Sequence, residues 1–93
     1  MTESKLPHRK LERVVRGFAN HRRIEILELL REEPELSVVE IAERLGINFK
    51  TASEHIRRLA IASLVLKRSD GASVRHKLTN NGLLILKFLR TLE

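Results

Sequence analysis

The sequence contains no cysteine, which excludes disulfide scaffolds, zinc–thiolate sites, thiol nucleophiles and thiol redox sensing. It has no tryptophan or tyrosine, and aromatic residues amount to 3%. That is too few rings for a platform that stacks single-stranded nucleic acid. Four glycines and two prolines leave no glycine-rich phosphate loop, no low-complexity tract and no internal repeat. Leu83 to Leu86 is a run of four apolar residues, and none is longer, whereas a membrane span takes roughly 18. The opening MTESKLPHRK has no apolar stretch behind its charges, so no secretory signal is read there. The sole aspartate is Asp70, and no Ser or His is evidently paired with an orienting acid, so no enzyme is expected. A soluble, cytoplasmic, non-membrane chain is the expectation that remains.

What is present is a basic chain of one domain's length. Ninety-three residues hold one small core and not two. Hydrophobic residues make up 42%, too many for a disordered basic tail. Lys and Arg number 18 against 12 Asp and Glu, a formal net charge of +6. The whole surplus lies between Arg44 and Lys77, where eight basic residues meet only Glu54 and Asp70. Such a concentration is either a solvated Arg-rich surface or a surface for a polyanion, where neutralised phosphates release counterions. The two readings separate on whether these side chains share a face.

Residues 1–8 are expected to form a flexible leader, and residues 9–93 a single domain. From Arg9 to Ala19 the spacing of Leu11, Val14, Val15 and Phe18 predicts an amphipathic helix. Asn20 is a good N-cap for a second helix, with Ile24, Ile26, Leu27, Leu29 and Leu30 in a wide stripe, stopped at Glu33-Pro34. Ser37-Val38-Val39-Glu40 is a capping box opening a third, short helix that ends at Gly46. Asn48 caps a fourth, running to about Ala62, which must cross the third steeply because the turn between them is so short. Leu64–Arg68 and Val74–Leu78 then alternate as strands around Ser69-Asp70-Gly71-Ala72-Ser73, a hairpin signal. Thr79 or Asn80 caps a last helix over Leu83–Leu92. The expected class is mostly α with a small β-hairpin, in the order α-α-α-α-β-β-α.

At 100° per residue the fourth helix turns Ala52, Ile56 and Leu59 inward and Lys50, Ser53, Glu54, Arg57 and Arg58 outward, with Thr51 and His55 on a flank. A basic, polar outer face with short hydrogen-bonding side chains suits the major groove of duplex DNA. We expect Lys50, Ser53, Glu54 and Arg57 to face bases. Ser37, Thr51, His55, Arg58 and the strand residues Lys67, Arg68, Arg75 and Lys77 are expected at phosphates, which position rather than specify. The hairpin tip holds an acid and no base, so insertion of a tip Arg into the minor groove is not expected. Phe49 either closes the core, which we favour, or touches a thymine methyl.

The stretches ANHRRIEILELL, ELSVVEIAERLGI, TASEHIRRL and VRHKLT, between Phe18 and Thr79, make the chain resemble the arsenic-repressor-type (ArsR) winged helix-turn-helix family. The resemblance implies a bacterial or archaeal transcriptional regulator, usually a homodimeric repressor on an inverted repeat. Three positions depart from the family pattern: Glu54 stands where a His is frequent, Ser63 where a Gly is common, and Phe49 where a polar residue is usual. Relatives that sense metals do so through Cys near the N-terminus or on the third helix, or through Asp and His on the last. This chain has neither set, and His8, His21, His55 and His76 form no i, i+4 pair, so no metal and no cofactor are expected. The last helix is apolar most of the way round, so it must be covered on more than one side. We expect a homodimer through Leu11, Val14, Val15, Phe18, Leu84, Leu86, Phe88, Leu89 and Leu92. The alternatives are a winged helix that meets an acidic protein, or one that binds RNA.

Overall fold

A computed structural model describes residues 6–93. Its elements run α1 (His8–Phe18), α2 (His21–Glu32), α3 (Val38–Leu45), α4 (Phe49–Ile61), β1 (Val65–Asp70), β2 (Ser73–Leu78) and α5 (Asn80–Arg90). The order is the expected one. Most of the leader assigned to residues 1–8 lies outside the described residues, and α1 already begins at His8 behind Pro7.

The helix boundaries follow from side chains that satisfy orphan amides. Asn20 Oδ1 accepts from the Arg22 and Arg23 amides. Ser37 Oγ accepts from the Glu40 amide while Glu40 returns a bond to the Ser37 amide, which completes the capping box. Asn48 Oδ1 accepts from the Thr51 amide at 2.7 Å. Thr79 Oγ1 accepts from the Gly82 amide, so α5 starts three residues before the apolar run at Leu83 that marks it in the sequence. Gly46 ends α3 at φ 66°, a conformation that costs a side chain about 1–2 kcal/mol.

Ile26, Leu27, Leu30, Ile41, Ile56, Leu59 and Leu64 are fully buried between α2, α3, α4 and the root of the hairpin. Each contributes on the order of 1.5–3 kcal/mol of gross burial. At Gly82 the start of α5 presses against the chain: a Cβ there would run into the Leu64 carbonyl oxygen.

β1 and β2 pair antiparallel from Val65↔Leu78 out to Asp70↔Ser73. The strands are longer than expected and the connection is two residues rather than five. Gly71 takes φ 63° and Ala72 does not have positive φ, the pattern of a II′ turn that matches strand twist. A further pairing is invisible to local periodicity: Leu36, just before α3, forms an isolated antiparallel bridge with His76. The His76 amide donates to the Leu36 carbonyl at 3.0 Å and the Glu35 amide to the His76 carbonyl at 2.9 Å. The hairpin is thereby tied to the turn between α2 and α3.

Candidate nucleic-acid interface

On α4, Ala52, Ile56 and Leu59 are buried while Lys50, Glu54, Arg57 and Arg58 are exposed and Ser53 is half-buried. Lys50, the first basic residue of the helix, has no carboxylate partner among the described residues. Glu54 is held by both arginines: Arg57 Nη2 donates to its Oε1 at 2.8 Å, Arg57 Nε to Oε2 at 3.2 Å, and Arg58 Nε to Oε1 at 3.1 Å. These bonds, the Arg57 bond foremost, hold the Glu54 carboxyl below its ordinary pKa. The repulsion an unpaired carboxylate would meet at a phosphate surface is therefore offset, and the outer face keeps a positive balance.

Phe49 does not close the core. It is 55% exposed at the start of α4. Residue 49 follows the cap directly, where the helix has only begun to turn its apolar side inward, and Ala52 takes the first core position instead.

His55 lies half-buried on the α4 flank, with Arg23, Arg22 and His21 around it. Burial first, and then the charge on Arg23, hold its pKa down, so the ring is neutral near pH 7 and donates through one nitrogen. Ser37 Oγ is engaged as an acceptor in the cap, which leaves the hydroxyl proton available to a phosphate. Thr51 is exposed.

The four basic side chains of the hairpin do not share a face. Directly paired residues point the same way and neighbours along a strand point opposite ways. The register Leu66↔Lys77, Lys67↔His76 and Arg68↔Arg75 therefore sets Arg68, Arg75 and Lys77 on one face and Lys67 on the other, beside the buried His76. Two of the four are also engaged within the protein. Arg68 Nη2 lies 2.7 Å from Glu35 Oε1. Arg75 Nη1 donates to the Glu35 carbonyl at 3.2 Å and to Glu40 Oε1 at 3.3 Å, with Nε 3.5 Å from Asp70 Oδ2. Exposed pairs of this kind contribute about 0–1 kcal/mol each, but together they orient the hairpin on α3. The cations without such partners among the described residues are Lys67 and Lys77.

What sequence reasoning missed is the part that Glu35, Glu40 and His76 play in docking the hairpin. Glu35 sits at φ 72° and is 33 positions from Arg68 and 40 from Arg75, a separation no local spacing reveals. His76 is buried, its Nδ1 donating to the Leu36 carbonyl at 2.8 Å. Burial lowers its pKa and the Leu36 carbonyl partly opposes that shift. The histidine that looked like one of four scattered rings is a pin between hairpin and helices.

The apolar residues assigned to an interface divide into three groups. Leu11, Val15, Leu84, Phe88 and Leu92 are exposed, the last at 68%. Val14 and Leu89 are half-covered against the core. Phe18 and Leu86, 8% and 5% exposed, are packed in the protomer's own core, so these two leave the interface set. They sit on the sides of α1 and α5 that face inward, and for α5, apolar most of the way round, the sequence does not reveal which side that is.

Five helices, a two-stranded hairpin and an exposed basic face on the helix before it define a winged helix-turn-helix domain. Residues 20–60 match the family model described as winged helix-turn-helix DNA-binding. The chain is 36% identical over 67 residues to the HTH-type transcriptional regulator KmtR of Mycobacterium tuberculosis, covering 72% of this chain and 51% of that protein. Among solved structures it is similar to the homodimeric winged helix-turn-helix DNA-binding domain Mb0332 of Mycobacterium bovis, described as a possible ArsR-family transcriptional regulator. That match has a TM-score of 0.81 and 28% identity, over 89% of this chain and 77% of the other. HlyU of Vibrio cholerae superposes with a TM-score of 0.79 at 28% identity, over 96% of this chain and 97% of that one. The chain is similar to ArsR-like winged helix-turn-helix proteins, as its motifs led us to expect. It spans about half the length of KmtR. Among the described residues no helix is long and apolar enough to cross a membrane.

Proposed function

We propose that this chain is a sequence-specific double-stranded DNA-binding regulator of transcription, a repressor acting as a homodimer on an inverted repeat. The observation that carries the reading is the outer face of α4. Lys50, Ser53 and the Arg57–Glu54 pair project from a helix whose opposite side is locked into the core. Arg57 is held as a fork for a guanine edge, and Glu54 can accept from a cytosine amino group. With the core position closed to it, Phe49 takes the alternative role of an apolar contact to a thymine methyl. Lys67 or Lys77 of the hairpin, with Thr51, Arg58 and the Ser37 hydroxyl, contact phosphates.

Support for the two-fold assembly comes from the uncovered apolar side chains of α1 and α5, and from the homodimeric description of Mb0332. Leu11, Val15, Leu84, Phe88 and Leu92 bury against a second copy, setting the two α4 helices about one DNA turn, roughly 34 Å, apart. Selection of bound duplexes from a random pool tests this. Enrichment of two inverted half-sites with centres about 10 base pairs apart is expected. Absence of any enriched sequence contradicts it.

A further inference from the structure

A cavity opens beside the C-terminal part of α4, away from Lys50 at the start of that helix. It is a cleft of about 470 Å³ between α1, the start of α2 and the C-terminal end of α4, within the ~300–1,000 Å³ range of small-molecule sites. Its walls carry five arginines, Arg9, Arg13, Arg16, Arg23 and Arg58, against one carboxylate, Glu12. Ile61, Ala62 and Gly17 supply an apolar portion of the lining. Glu12 pairs with Arg16 at 3.5 Å and Arg58 with Glu54. Arg9, Arg13 and Arg23 have no carboxylate partner among the described residues. Arg23 donates through Nη1 to the Arg16 and Gly17 carbonyls at the end of α1, and its Nε is buried without a partner. That guanidinium is fixed in place with its charge uncompensated.

We propose that this cleft binds a small organic anion, a carboxylate or phosphate monoester with an apolar body. The forked guanidinium groups would take the anionic head, and Ile61 and Ala62 the body. On the α1 helical wheel Arg9, Arg13 and Arg16 lie on the side opposite Leu11 and Val15, so the cleft stays open when those two residues face a second copy. The site reaches the outer face of α4 through one side chain: Arg58 both lines the cleft and neutralises Glu54. A ligand that draws Arg58 inward leaves Glu54 to Arg57 alone, which raises repulsion against DNA phosphates. Occupancy therefore lowers DNA affinity, a consequence that rests on the DNA-binding reading, whereas ligand binding itself does not.

The test uses the whole chain, labelled with ¹⁵N, and the probes phenyl phosphate, benzoate and inorganic sulfate, with no DNA present. Saturable amide shifts at Gly17, Arg23, Ile61 and Ala62 are expected with the two organic anions, and weaker binding of sulfate. Arg9→Gln with Arg13→Gln, both exposed positions, should weaken organic-anion binding at least tenfold while the spectrum elsewhere stays folded. In a separate arm, saturating phenyl phosphate should weaken duplex binding several-fold in the parent and not in the double variant. Shifts that stay linear up to about 10 mM, the response of non-specific ion pairing, overturn the proposal. So does a double variant that flattens the salt slope of DNA binding while the parent binds no probe, since the arginines would then belong to the DNA surface.

Discussion

Ser63, like Glu35, is a residue whose conformation and identity disagree. It holds φ 61° at the junction of α4 and β1, and its carbonyl accepts from Thr79 Oγ1 at 2.7 Å, so the backbone is fixed there. A left-handed φ costs a side chain about 1–2 kcal/mol, and a glycine returns part of that as entropy in the unfolded chain. Ser63→Gly should therefore stabilise the protein by about 0.5–1 kcal/mol, read as a higher denaturant midpoint at unchanged slope. A lower midpoint would show that the strain is not there. The departure from the family's glycine was legible in the sequence; that the backbone still adopts the glycine conformation was not. His76 carries a second residue-scale expectation. Its folded pKa is lowered, so the unfolded chain, near 6.5, binds a proton that the folded state refuses. Its contribution is full above about pH 6.5 and is lost as pH falls below it. His55 is shifted the same way, whereas the lowered Glu40 and Glu54 act only below about 4.5. Denaturation midpoints should fall between about pH 7 and pH 5, and His76→Asn should flatten that fall. A parent midpoint that does not change across the range contradicts the assignment.

At the scale of elements, helix positions were legible because caps and apolar period are local signals. Asn20, Ser37-Glu40, Gly46, Asn48 and Thr79 all act where their side-chain chemistry places them. The hairpin was legible as a hairpin, but not how it docks. Its seat on α3 depends on Glu35 and Glu40 meeting Arg68 and Arg75 from 33 to 40 positions away. The same register puts Lys67 and Lys77 on opposite faces, and one rigid duplex can meet only one of those faces closely. Lys67→Ala and Lys77→Ala should therefore differ: one should flatten the salt slope of DNA binding by about one and weaken all sequences alike, the other leave it unchanged. Equal losses from both would mean that the ribbon twists or moves on binding.

For the molecule as a whole, the uncovered apolar side chains on its terminal helices set the expectation. Leu83, Leu84 and Phe88 on α5, Leu92 just beyond its end, and Leu11 and Val15 on α1 are all exposed, and apolar side chains gathered on one surface mark an interaction site. Phe88→Glu should convert a dimer into monomers in sedimentation at micromolar concentration, with the fold unchanged because Phe88 is outside the core. A parent chain that sediments only as a monomer contradicts the two-fold assembly. The sequence pointed to this helix by its apolar girth, but could not divide it into the side that Leu86 buries at home and the side left for a partner.

The claim on which the rest depends is that the charge surplus between Arg44 and Lys77 serves duplex DNA. Titrating a selected duplex at a series of salt concentrations measures it directly. The account predicts a log–log slope of several units, because each neutralised phosphate contributes about −0.9, and much weaker binding of an RNA duplex of the same sequence. Binding that is indifferent to salt, or equal for RNA and DNA, would contradict it.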